Sequence, residues 1–170
     1  ATTTSFKSER RQLIVPARPA TPLVTINFIT ESTSEPVTTV MLYATSADFS
    51  DSQSGSNNNL GLTPGKKYYF KYKASSSQFA SDVFTLNVPG RTTPDYGIDY
   101  LNMQIDNPVS ETDEYSENAD MLNAVVGNNI KIALVPGKDL YFRTKATATS
   151  FASNIQHLVV PSLPAAPSFS

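Results

Sequence analysis

Leu62-Thr63-Pro64-Gly65-Lys66-Lys67-Tyr68-Tyr69-Phe70-Lys71-Tyr72-Lys73-Ala74 decides the fold, because the same pattern occurs twice. It returns 72 positions later as Leu134-Val135-Pro136-Gly137-Lys138-Asp139-Leu140-Tyr141-Phe142-Arg143-Thr144-Lys145-Ala146. Pro presets its own φ and Gly accepts a positive φ, so the dipeptide suits the middle of a tight turn. Beyond the turn the side chains alternate. Tyr68, Phe70, Tyr72 and Ala74 share one face, and Tyr69, Lys71 and Lys73 share the other. Leu140, Phe142, Thr144 and Ala146 repeat the first set, and Tyr141, Arg143 and Lys145 the second. A period of two predicts a half-buried strand in each copy.

The register extends outward without a gap from Pro22 and Pro94 to Ala74 and Ala146. It aligns Ile26 with Ile98, Phe28 with Tyr100, Tyr43 with Tyr115, Phe49 with Met121 and Leu60 with Ile132. A partial third copy opens the chain. Ala1 to Ser8 follows the pattern of Ala146 to Ser153, and Leu13-Ile14-Val15-Pro16 follows Leu158-Val159-Val160-Pro161. The sequence therefore predicts three segments: a closing strand and linker of a truncated repeat at 1–20, one repeat at 21–93, and a second at 94–170 ending in a Pro-rich linker. Pro-spaced tracts such as Pro16 to Pro22 favour extended, semi-rigid spacers.

Within the first repeat, Leu23 to Ile29, Val37 to Ala44 and Phe79 to Val88 read as further strands. Ser46 to Asn59 reads as a polar loop anchored by Phe49. No segment carries a helical period. The expected class is all-β, with two tandem β-sandwich repeats of about 72 residues.

The pattern Leu-x-Pro-Gly-x-x-Tyr-x-Phe-x-x-x-Ala, then a polar turn, Ser, a closing strand and Pro-x-x-Pro, resembles the last two strands of a fibronectin type III domain. The resemblance covers the C-terminal half of each repeat. It implies a compact fibronectin- or immunoglobulin-like sandwich, with Tyr68 making the corner contact that ties turn to strand. Leu140 stands in that place in the second copy, which therefore lacks the hydroxyl, and the chain has no Trp. The resemblance further implies a repeat region of a bacterial surface or adhesin-type protein.

Composition narrows the chemistry. With 39% hydrophobic residues and a mean hydropathy of −0.24, a modest core is expected. No apolar run approaches the roughly 20 residues of a membrane-spanning helix. The absence of Cys removes disulfides, thiol catalysis and thiolate metal sites. No signal peptide opens the sequence. The Thr-, Ser- and Asn-rich composition suits an extracellular, cell-surface setting. The net charge of −2 hides a gradient: residues 1–22 carry +3, residues 23–94 are neutral and residues 95–170 carry −5. A nucleic-acid partner would need a basic stripe, which is missing.

Three sets of residues are the candidates for chemistry or contact. The acidic segment holding Asp113, Glu117 and Asp120 has the oxygen ligands a hard cation takes, in a spacing that matches no EF-hand loop. A solvated acidic loop is therefore expected, without a metal or cofactor. The outward stripes Tyr69, Lys71, Lys73 and Tyr141, Arg143, Lys145 pair an aromatic with cations, a surface suited to a cell-surface glycan or an acidic polymer. Leu13 and Val15, on an unpaired closing strand, would form a template for another chain. His157 is the only His and, without partners, is expected to face outward from its strand. No catalytic constellation is expected. The function expected is a structural repeat module serving as spacer, display stalk or self-assembling element, through neighbouring repeats or self-association. A glycan-binding adhesin module and an accessory β-domain of a secreted hydrolase are the alternatives.

Overall fold

The computed structural model describes residues 3, 4 and 6–167; the remaining residues of the predicted first and last segments, 1, 2, 5 and 168–170, lie outside the described residues. Among the described residues the chain is all-β, without a helix. Six short strands come first: β1 Ile26–Asn27, β2 Ser32–Thr33, β3 Met41–Ala44, β4 Gln53–Ser54, β5 Lys67–Tyr72 and β6 Phe84–Asn87. Six more follow at the same spacing, with ends differing by at most one residue: β7 Ile98–Asp99, β8 Gln104–Ile105, β9 Asp113–Ser116, β10 Val125–Val126, β11 Leu140–Thr144 and β12 Gln156–Leu158. They form two antiparallel pairs, β1-β2 and β7-β8, and two four-stranded sheets ordered β4-β3-β5-β6 and β10-β9-β11-β12. The registers correspond, Tyr43 facing Phe70 across β3-β5 and Tyr115 facing Phe142 across β9-β11.

The chain divides into two compact units, one of Ala1–Leu23, Val37–Asn58 and Tyr68–Leu86, the other of Val24–Pro36, Asn59–Lys67 and Asn87–Ser170. In the first, β5 shows the alternation its sequence predicts: Tyr68 and Phe70 are buried while Tyr69 and Lys71 are half-exposed. Phe70 is fully buried beside Tyr43, their ring centroids 6.5 Å apart, and Val37, Met41, Ala44 and Leu86 are buried in the same unit. The predicted alternation fades at its end, where Tyr72 is half-buried and Ala74 exposed. There a side chain takes over from the ladder. Buried Ser81 accepts the Tyr72 N–H through Oγ at 2.8 Å and donates to the Asp82 carbonyl at 2.8 Å.

The second unit contains both Pro-Gly turns. Gly65 and Gly137 have φ of 83° and 81°, and the N–H after each turn reaches back to the carbonyl before it: Lys66 to Thr63 at 3.2 Å, Lys138 to Val135 at 3.0 Å. These are turns with Pro at the second position and a left-handed Gly at the third. The core joins Tyr96, Ile105, Val109, Leu134, Leu140, Phe142 and Val160, with Ile98, Tyr115, Ile132 and Leu158 packed against it. Tyr96 and Phe142 lie 4.5 Å apart.

The structure corrects several sequence expectations. The strand predicted over Leu23 to Ile29 contracts to Ile26–Asn27, because Asn27 Oδ1 accepts the N–H groups of Ile29 and Thr30 at 3.1 and 3.2 Å. Asn side chains compete in this way with the ladder. The loop predicted over Ser46 to Asn59 contains β4, which pairs with β3. Among the described residues the segment 1–20 carries no strand, and none lies between residues 6 and 25. Leu13 is 86% exposed and Val15 64%. A strand exists only as a hydrogen-bonded partner of another, and no described strand pairs with this segment.

Two outcomes follow from these contacts. Phe70→Ala and Phe142→Ala should each cost about 3–5 kcal/mol, since both rings are fully buried; urea denaturation measures this, and a loss under about 1 kcal/mol would contradict the register. In the turn after β3, Asp51 accepts from the Thr45 hydroxyl and from the N–H groups of Thr45 and Ser46. These donors, the Thr45 hydroxyl foremost, hold its carboxyl down at about 2. Because the folded value lies below the unfolded 3.8, the stabilisation is present above about pH 4 and is lost as pH falls towards 2. Carboxyl NMR titration should place the Asp51 midpoint near 2, and Asp51→Asn should remove the acid sensitivity of this turn.

Candidate functional site

Four of the six stripe side chains, Lys71, Lys73, Tyr141 and Arg143, are engaged within their own units. Lys71 Nζ sits 3.9 Å from the centroid of Phe49, a cation–π arrangement, and Lys73 Nζ donates to the Thr39 carbonyl at 2.6 Å. Phe49 itself holds a φ of 59°, as does its counterpart Met121 at 61°. Arg143 Nε donates to Glu114 Oε1 at 2.8 Å, its Nη2 to the same oxygen, across the β11-β9 register. Tyr141 stacks on His157 with centroids 4.6 Å apart and planes 11° from parallel, and His157 Nε2 lies 2.7 Å from Asp139 Oδ2. That hydrogen bond, with the Val160 N–H, lowers the Asp139 carboxyl below its usual range. Tyr69 and Lys145 are half-exposed. The aromatic face that a sugar would need at Tyr141 is thus covered by an imidazole.

The acidic candidates do not converge. Asp113 Oδ2 accepts from the Tyr96 hydroxyl at 2.6 Å and from Ser110 Oγ at 3.0 Å, Glu117 lies 3.8 Å from Lys138 Nζ, and Asp120 Oδ1 caps the Leu122 N–H at 2.9 Å. Among the described residues no group of three or more His, Cys, Asp or Glu side chains is placed to hold a metal ion. Tyr96 belongs to a polar set that the sequence reading missed. Gln156 bonds both backbone groups of Tyr96, at 2.8 and 2.7 Å. Burial first, then the Asp113 carboxylate, push the Tyr96 phenol up to about 12, which keeps it a neutral donor at ordinary pH.

A second set missed from the sequence is better organised. In the second unit, Arg91 Nη1 donates to the Ala152 carbonyl at 2.6 Å while Nη2 reaches both carboxylate oxygens of Glu31, at 2.7 and 2.6 Å. Its guanidinium carbon lies 5.8 Å from the centroid of Phe151. Phe28 meets the same ring edge-on at 4.9 Å, and Phe151 is buried. Glu31 has a φ of 53°, in the left-handed region that non-Gly residues seldom enter. In the first unit Arg18 makes the corresponding contacts. Its Nη1 donates to the Ala80 carbonyl at 2.8 Å, its guanidinium carbon lies 5.9 Å from the Phe79 centroid, and its Nε is 3.8 Å from Asp82. Both Arg residues stand two positions after the Pro of a Leu-x-Val-Pro stretch, Pro16 and Pro89, and that shared spacing was the available signal.

Arg suits the place because its planar fork can serve a carbonyl and a carboxylate together while its face covers an aromatic ring; a Lys ammonium cannot do all three. Arg91→Lys should therefore cost about 1–2 kcal/mol in urea denaturation, the size of one lost charged hydrogen bond. A change within error would mean that the Glu31 pair carries no net stabilisation, as exposed pairs often do not.

No protein-family model, curated protein or solved structure matches the chain, so this geometry is what the functional reading rests on.

Proposed function

We propose that the chain is a non-catalytic structural repeat module of an exported bacterial surface protein, two fibronectin III-like β-sandwich repeats acting as spacer, display stalk or self-assembling element. The observation that carries this reading is the recurrence of one backbone design at 72-residue spacing. It extends beyond strands to positions that composition alone would not place: the left-handed φ at Glu31 and Met103, Phe49 and Met121, Asn57 and Asn129. What recurs at this spacing is backbone framework. The Arg-on-Phe contact recurs too, at Arg18-Phe79 and Arg91-Phe151. Modules of this type can lengthen an array because each needs only its neighbours. The His157 imidazole stacked on Tyr141 argues against a glycan platform at that stripe, which would need its aromatic face open.

Copy number tests the reading. Chains with one, two and three copies of residues 94–165, anchored at the C-terminal end and tagged at the other, should show epitope accessibility rising with each copy. The urea m-value should rise in proportion to the added folded surface. An inserted copy that stays unfolded, or accessibility that does not change, would overturn the proposal. Saturable binding of a glycan, abolished by Tyr69→Ala with Tyr141→Ala, would instead favour a binding module.

A further inference from the structure

Polar groups that the first repeat ties up among themselves are released in the second. In the first, the Tyr43 hydroxyl donates to Gln53 Oε1 at 2.8 Å, and Asp51 accepts from the Thr45 hydroxyl and from the N–H groups of Thr45 and Ser46. Seventy-two positions on, Val125 replaces Gln53, Asn123 replaces Asp51 and Glu117 replaces Thr45. Val125 stands opposite Tyr115 across β9-β10 and offers no acceptor. Among the described residues the Tyr115 hydroxyl therefore has no hydrogen-bond partner, and neither has the Asn123 side chain. A fourth replacement makes room: Tyr68, buried in the first unit, becomes Leu140, which removes a ring. Tyr115 and the four replacements all line one cavity of about 320 Å³ in the second unit.

We propose that this cavity binds a neutral pyranose unit of a glycan. Leu140, Ile132 and Val125 give it apolar walls, against which the C–H face of a sugar ring packs. Its polar groups are mixed in kind. The Glu117 carboxylate accepts, the Lys138 ammonium donates, and the Tyr115 hydroxyl and the Asn123 amide do both. Asn118 spends its Nδ2 on the Leu122 carbonyl at 3.0 Å, which leaves its Oδ1 as a further acceptor. Adjacent sugar hydroxyls, each a donor and an acceptor, present the matching set. Glu117 and Lys138 lie 3.8 Å apart, so the cavity carries no net charge to select an ion, and an exposed pair of this kind loses little by turning to a ligand. The volume lies at the lower end of small-molecule sites, room for one or two sugar rings. The Tyr-to-Leu change explains the space alone; the freed polar groups come from three other positions, and their convergence on that space carries the inference. It goes beyond the spacer reading and leaves it standing, since the 72-residue register serves only to show which contacts the second copy has given up.

Amide NMR of the full chain tests it, titrated with N-acetylglucosamine, methyl glucoside and methyl galactoside to about ten times a millimolar dissociation constant. At least one of these sugars should move the Glu117, Asn118, Asn123 and Lys138 signals saturably. Sorbitol, which has the hydroxyls without the ring, and alanine, a small zwitterion, should leave them in place. Leu140→Tyr restores the side chain of the first repeat; it should weaken binding roughly tenfold or more and melt no lower than the parent. Glu117→Thr, at an exposed position, should weaken binding roughly tenfold, the size of one charged hydrogen bond, and decides the matter alone if Leu140→Tyr does not fold. No saturable shift with any of the three sugars, an equal response to sorbitol or alanine, shifts confined to Tyr69 or Tyr141, or full affinity in Glu117→Thr would overturn the site.

Discussion

The structure depends on what the left-handed glycine of each Pro-Gly turn does with its N–H. Gly65 N–H points at the carbonyls of Val88 and Pro89, 3.2 and 3.0 Å away, and Gly137 N–H at those of Val160 and Pro161, both at 3.2 Å. The turn is thereby fastened to the end of the closing strand before the long strand begins. Register in a sheet is unforgiving, since a slip of one residue would send Phe70 or Phe142 outward and Lys71 or Arg143 into the core. Fixing the turn fixes which alternate residues are buried. Val88, on the closing side, completes the tie by donating to the Lys66 carbonyl at 2.9 Å.

With the backbone held in this way, the interior can change chemistry between copies. Val24, Met41 and Phe84 have Tyr96, Asp113 and Gln156 as their counterparts 72 positions later. Three apolar residues become a phenol, a carboxylate and an amide. The polar set is acceptable because its members satisfy one another, the phenol donating to Asp113 and the amide bonding both backbone groups of Tyr96. A buried polar group with its partners present costs little compared with one left alone. Tyr96 still packs its ring on Phe142, so the hydrophobic contribution is retained.

Surface charge follows the same economy of partners. Lys71 on Phe49, Arg143 on Glu114 and Arg91 on Glu31 and Ala152 place cations against rings, carboxylates and carbonyls instead of leaving them as a free basic face. The arginines do more than the lysines, since a guanidinium holds two acceptors in one plane while stacking. Apolar side chains that remain more than two-thirds exposed are spread along the chain, at Phe6, Leu13, Ile14, Leu23, Ile29, Tyr100, Leu101 and Leu163. Exposed apolar side chains of this kind are ordinary on a folded surface.

The all-β class, the two Pro-Gly turns, the burial of Phe70 and Phe142 and the outward direction of Lys71 and Arg143 were legible in the sequence, because alternation and turn chemistry are local properties of neighbouring residues. The Asn27 side chain that ends β1, the edge strand at Gln53–Ser54 and the lack of a strand over residues 6–25 were not, since each depends on whether a distant partner or a competing side chain claims a backbone group. The same holds for Gly55 and Gly127. They look like ordinary loop glycines, yet a Cβ at either would lie 2.2 or 2.3 Å from the Thr38 or Ser110 carbonyl oxygen. The stripe residues are half-exposed, and their pairing with Phe49, Glu114 and His157 required side chains remote in sequence to meet. Arg91, Glu31, Phe28 and Phe151 span more than a hundred residues, and only tertiary structure could bring them together, because a contact between distant residues is fixed by how the strands pack and not by any pattern along the chain.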